Sequence, residues 1–114
     1  MTVTIYHNPS CSNSRRALEL IREAGIEPTI VEYLKTPLPV EQLRALVAQM
    51  GVPAREIVRF KQAEAAEAGI DENSPAAALL AAMAKFPVLM NRPIVVTDKG
   101  ARLCRPGDEV KNLL

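Results

Sequence analysis

Cysteine and histidine are scarce in this chain of 114 residues, which holds two cysteines and one histidine. A disulfide-stapled secreted scaffold needs a dense cysteine framework, and Cys11 with Cys104, far apart in sequence, provides none. The tetrahedral Cys/His set of a structural zinc site is excluded as well, because His7 is the only addition to those two thiols. Charge of one sign is also lacking: fourteen basic residues face thirteen acidic ones, for a formal net charge of +1. No global field draws such a chain onto nucleic acid or an anionic membrane, so neither is expected as a partner, and any anion must be captured locally. Long apolar runs are missing too. Residues 3–6 are too short for an export signal or a membrane span, which with two free thiols reads as a cytoplasmic protein.

What is present fits a single domain over residues 1–114, long enough to bury roughly 65% of its unfolded surface. Val3-Thr4-Ile5-Tyr6 reads as a strand that runs into the loop His7-Asn8-Pro9-Ser10. From Ser12 onward Ala17, Leu18, Leu20, Ile21 and Ala24 recur at helical spacing until Gly25 can close the helix. Residues 29–33 give a second strand, and a strand-helix-strand unit in one sheet is parallel. Leu43, Leu46, Val47 and Met50 predict a helix with Pro39 in its first turn, followed by short helical pieces over 54–59 and 63–68. Ser74 as N-cap before Pro75 predicts another helix, with Ala76, Leu79, Leu80 and Met83 buried. Residues 94–97, a turn at Asp98-Lys99-Gly100 and residues 101–104 read as a hairpin, and a last helix is expected over 107–114. The pattern implies an α/β fold: one mixed sheet of four strands, flanking helices, and a helical stretch between a βαβ part and a ββα part.

Chemistry concentrates at the first loop. A cysteine directly before a helix faces unpaired backbone N–H groups and the positive end of the helix dipole, both of which favour thiolate over thiol. The same N–H groups cradle a tetrahedral oxyanion, so nucleophile and anion site coincide at Cys11. Ser14 is expected to hydrogen-bond the sulfur across the first turn, Arg15 and Arg16 add positive charge nearby, and His7 either tunes the thiolate or fills a polar pocket at the strand end. Arg59, Arg92 and Arg105 are further oxyanion candidates, because a guanidinium is planar, always charged and binds oxyanions in a bidentate way. Arg92 and Arg105 each precede a proline, and the Arg92–Pro93 bond is a candidate for cis geometry that fixes the arginine's direction.

The stretch His7-Asn8-Pro9-Ser10-Cys11-Ser12-Asn13-Ser14-Arg15, taken with Asn91-Arg92-Pro93-Ile94-Val95-Val96-Thr97 and Arg102-Leu103-Cys104-Arg105-Pro106, resembles the glutaredoxin-dependent arsenate reductases. Glu27-Pro28-Thr29-Ile30 and Met50-Gly51-Val52 look like the same family. The chain ends at Leu114, before the extension of plasmid-type members, so it is most similar to the shorter chromosomal form. The resemblance implies a thioredoxin-like fold with a helical insertion, and reduction of arsenate to arsenite in arsenic detoxification. It implies Cys11 as the single catalytic thiolate, His7 and Ser14 in its support, and Arg59, Arg92 and Arg105 holding the oxyanion, with Pro93 as the cis-proline near the site. No tightly bound cofactor is implied. Glutathione serves as co-substrate and a glutaredoxin as partner.

Other readings weigh less. The low-molecular-weight phosphatases and their arsenate-reducing relatives place an arginine six positions after the cysteine, where this chain has Ala17. A monothiol glutaredoxin fits the His-Asn-Pro loop and the Arg92-Pro93 pair poorly. The alternative kept is a thioredoxin-fold redox or RNA-polymerase-binding regulator without arsenate turnover. Ser14 stands where a Cys-x-x-Cys switch would carry its second thiol, so a direct disulfide switch is excluded. Cys104, in a strand-like segment, is expected to be structural.

Overall fold

The β-branched and aromatic run at the amino terminus extends into strand β1 (Thr4–Tyr6), the inner strand around which the sheet is built. The computed structural model describes residues 1–114. It divides into two units, Met1–Thr36 with Arg92–Leu114, and Pro37–Asn91.

In the first unit β1 pairs in parallel with β2 (Thr29–Val31), Ile5 opposite Ile30, and antiparallel with β3 (Ile94–Thr97), Ile5 opposite Val95. Strand β4 (Gly100–Leu103) completes the order β2-β1-β3-β4. Helix α1 (Ser12–Glu23) buries Ala17, Leu20 and Ile21, the face that the apolar spacing predicts. It ends as expected at Gly25, whose φ of +79° lets Gly25 N–H reach the Arg22 carbonyl and Ile26 N–H reach that of Ile21. Ile5 and Val95 join Ala17, Leu20, Ile21 and Cys104 in one core cluster with Val110 and Leu113.

Several boundaries differ from the sequence reading: the second strand ends at Val31 and not at Tyr33, and the short helical pieces end at Ile57 and Glu67 and not at 59 and 68. Gly100 pairs with Thr97 and so already belongs to β4, which leaves the two-residue loop Asp98-Lys99, a tight hairpin connection, and puts Cys104 just past the strand. The last helix is present as expected, over Gly107–Leu113, but it is of the 3-10 type. Its buried residues are Gly107, Val110 and Leu113, a spacing of three that matches three residues per turn. Gly107 is required there for space: a Cβ would lie 2.5 Å from the Asn13 carbonyl oxygen and 2.9 Å from Arg16 Cβ.

The second unit is the helical insertion. It holds α2 (Val40–Met50), the 3-10 turn Ala54–Ile57, α3 (Ala63–Glu67), α4 (Ala76–Lys85) and the 3-10 turn Pro87–Leu89. Pro39 is the N-cap of α2 and not a first-turn residue, since its carbonyl accepts the first helical N–H, that of Leu43, at 3.1 Å. Ser74 does not cap α4. Its hydroxyl accepts the Asp71 N–H at 2.9 Å, Pro75 takes the N-cap position, and Ala76 is exposed while Leu79, Leu80, Ala82 and Met83 form the buried face. The mixed four-stranded sheet, its flanking helices and the inserted helical segment are the thioredoxin-like arrangement expected. No helix is long and apolar enough to cross a membrane.

Gly107→Ala is expected to lower the unfolding free energy by about 1–3 kcal/mol, the usual cost of forcing an extra methyl into closed packing. Urea unfolding would show it as an earlier midpoint at unchanged slope, and an unchanged midpoint would mean that the contact with α1 gives way freely.

Candidate active site

The loop between β1 and α1 is held by its own polar groups. His7 N–H continues the sheet to the Val31 carbonyl at 2.8 Å, and Cys11 N–H closes a turn onto the Asn8 carbonyl at 3.0 Å. The Asn8 side-chain oxygen accepts Ser10 N–H at 2.9 Å, while Asn8 N–H donates to Ser14 Oγ at 3.0 Å. Ser14 Oγ also shares a 2.5 Å hydrogen bond with His7 Nδ1. The Ser14 hydroxyl is thereby committed to His7 and Asn8, and the hydrogen bond expected from Ser14 to the sulfur is made by its backbone amide instead. Arg15 donates Nη1 to the Pro9 carbonyl at 2.9 Å, and Arg16 is turned to Glu19 and Asp108.

Cys11 is the N-cap of α1, with extended backbone and a carbonyl that accepts Arg15 N–H at 3.0 Å. The residue is buried, 7% exposed. The first turn of α1 carries no acidic residue, so nothing on the helix competes for its free amides. Arg105 donates Nη1 to Cys11 Sγ at 3.6 Å and to the Arg92 carbonyl at 2.8 Å. Burial pushes the Cys11 thiol up, but the backbone amides of Ser14 and Asn13, the charge of Arg92 and the Arg105 guanidinium outweigh it. The thiol therefore titrates below its ordinary value. Burial also lowers His7, Glu32 opposes this, and Arg22 and Arg15 reinforce it, so the imidazole is held neutral at physiological pH. The peptide bonds Arg92–Pro93 and Arg105–Pro106 are both cis; the second of these has no counterpart in the sequence reading.

Comparison with known proteins decides the lineage. The family model described as "ArsC family" matches residues 6–113. The chain belongs to the ArsC family. It is 50% identical over 115 residues to an arsenate reductase of Rhizobium meliloti, covering 100% of this chain and 82% of the relative. It is 45% identical over 113 residues to an arsenate reductase of Escherichia coli K12, covering 98% and 80%. A solved structure of an arsenate reductase from Vibrio cholerae superposes with a TM-score of 0.93 at 42% identity, covering 100% of this chain and 98% of that one.

In this ArsC-family chain His7, Cys11, Ser14, Arg92, Pro93 and Arg105 all fall in the first unit. Arg59 falls in the second. There its N–H donates to the Leu89 carbonyl at 2.8 Å, and the Gln62 amide, turned so that its oxygen faces the guanidinium, accepts from both Nη atoms at 2.9 and 3.0 Å. Two residues escaped the sequence reading. Asn8, before a proline, is a turn former whose side-chain and main-chain bonds shape the loop, and that signal was available. Asn13 accepts the Gly107 N–H at 3.2 Å through its side chain, across 94 residues of sequence, which no local pattern announces.

Cys104 is wholly buried in the core cluster, and burial pushes its thiol up to about 12. Alkylation of the native chain at neutral pH is expected at Cys11 and not at Cys104. The unfolded chain releases the Cys104 proton near the ordinary value of 9.0 and the folded chain near 12, so this group's contribution is intact below pH 9 and lost as pH climbs towards 12. Comparing unfolding free energies of the wild type and Cys104→Ala from pH 8 to 11 tests this: the wild type is expected to lose stability more steeply, and parallel curves would contradict a proton held by burial.

Proposed function

We propose that this chain reduces arsenate to arsenite with Cys11 as its one nucleophile, and that glutathione and a glutaredoxin supply the two electrons. Membership of the ArsC family assigns it to the arsenate reductases, which are oxidoreductases. The supporting observation is the Cys11 sulfur, lowered in pKa at the start of α1 with Arg105 3.6 Å away.

The thiolate attacks arsenic, an S–As bond forms, and an arsenate oxygen leaves as water with protons from arsenate and solvent. Glutathione then displaces a second oxygen as water through its own sulfur. A glutaredoxin thiolate attacks the glutathione sulfur, the electron pair of that S–As bond stays on arsenic, and arsenic falls from +5 to +3. Hydrolysis of the remaining bond frees arsenite and Cys11. The first step brings two anions together, a repulsion of about 4 kcal/mol per charge pair at roughly 4 Å and an effective dielectric near 20. Arg92, Arg105 and the first-turn amides offset it without reorganising during the reaction. Ser14 supports the thiolate directly through its backbone amide, and its hydroxyl together with His7 fixes the loop that presents the sulfur. Arg59 enters this reading through the family resemblance alone, and Cys104 has no part in turnover.

Arsenite formation with glutathione and glutaredoxin present tests the reading. Cys11→Ser is expected to abolish it and Cys104→Ser to leave it largely intact. Equal losses from both would overturn the assignment, and no turnover by the wild type together with capture of RNA polymerase would favour the regulator.

A further inference from the structure

Arg105 touches the sulfur from the end of a long, exposed side chain, and holding such a chain costs about 2 kcal/mol of rotamer freedom. Something must fix the backbone that carries it. Two residues downstream, Gly107 N–H donates to Asn13 Oδ1 at 3.2 Å, and Gly107 lies so close to α1 that no side chain fits between them. The Arg16–Asp108 bridge joins the same elements, but it is exposed, and Arg16 is shared with Glu19, so it contributes little. We propose that Asn13 is a positioning residue that clamps segment 105–107 to the first turn of α1 and thereby keeps the Arg105 guanidinium on the Cys11 sulfur. The inference rests on Cys11 as the nucleophile.

The residue type is suited to the task. Asn13 uses both ends: its side-chain oxygen takes the Gly107 N–H, while its own amide is one of the two that favour the Cys11 thiolate. An aspartate would accept the same bond but set a negative charge beside the thiolate and push the thiol back up. An amide oxygen clamps without that charge.

The test is the rate of Cys11 alkylation by iodoacetamide across pH, in the full-length chain without arsenate. The variants are Asn13→Ala, Arg105→Ala, the double variant and Asp108→Ala. Alanine is the better helix former, so Asn13→Ala keeps α1. At pH 6 both single variants at the site are expected to alkylate roughly three- to tenfold more slowly than the wild type, because a smaller fraction of the sulfur is thiolate. The double variant is expected to be no slower than Arg105→Ala alone, because one residue acts through the other. Asp108→Ala is expected to stay within about twofold of the wild type. Asn13→Asp keeps the acceptor and the shape, so adding Arg105→Ala to it is expected to slow alkylation by the same factor as in the wild type. This comparison stands even if Asn13→Ala fails to fold. A wild-type rate in Asn13→Ala, additive losses in the double variant, an equal loss in Asp108→Ala, or no Arg105 effect in the Asn13→Asp background would each overturn the clamp. Because arsenate is absent from the readout, failure of the clamp and failure of the arsenate reading are separate results.

Discussion

A thiolate that must attack an anion needs positive potential fixed around it before the substrate arrives, since mobile charges in water screen too well to help. Here that potential comes from backbone amides at the start of α1 and from two arginines, acting on one sulfur that burial alone would have kept protonated. The balance is between opposing effects of the same kind: partial burial strengthens each favourable contact and penalises the charge it serves. The shape of the loop, the cap geometry and the placement of segment 105–107 all matter through this balance.

The fold supplies the convergence from distant parts of the chain. Strand β1 is flanked by β2 and β3, so the loop that leaves it opens beside the start of β3, where Arg92 and Pro93 lie. Strand β4 and the 3-10 helix that follows return the chain to α1, bringing Arg105 to the sulfur and Gly107 to Asn13. His7 at the end of β1 and Ser14 in the first turn of α1 are joined by a hydrogen bond across the loop. A neutral imidazole bonded to a buried hydroxyl leaves the local charge to the arginines and amides.

Much of this was legible from residue order alone. The apolar spacing of Ala17, Leu20 and Ile21 with Gly25 behind them marks α1 and its end, and β-branched runs mark the inner strands. Cysteine before a helix, with arginine-proline pairs far downstream, marks the residues that the fold brings together around the Cys11 sulfur. What was hidden is tertiary. Ser14 has several partners within reach of a first-turn hydroxyl, and nothing local says that His7 and Asn8 take it in place of the sulfur. Gly107, Val110 and Leu113 recur every third residue, a 3-10 signal easily read as a weak helix. Ser74 preceding proline looks like a cap, yet the Asp71 turn claims its hydroxyl and the helix starts after Pro75.

Ionisation of the Cys11 sulfur can be observed directly as the ultraviolet absorbance of the thiolate, taken as the difference between the wild type and Cys11→Ser while pH is raised. A midpoint clearly below the free-thiol value of 9.0 is expected. A midpoint at or above it would mean that the amides and arginines fail to outweigh burial, and the nucleophile would then lack its activation.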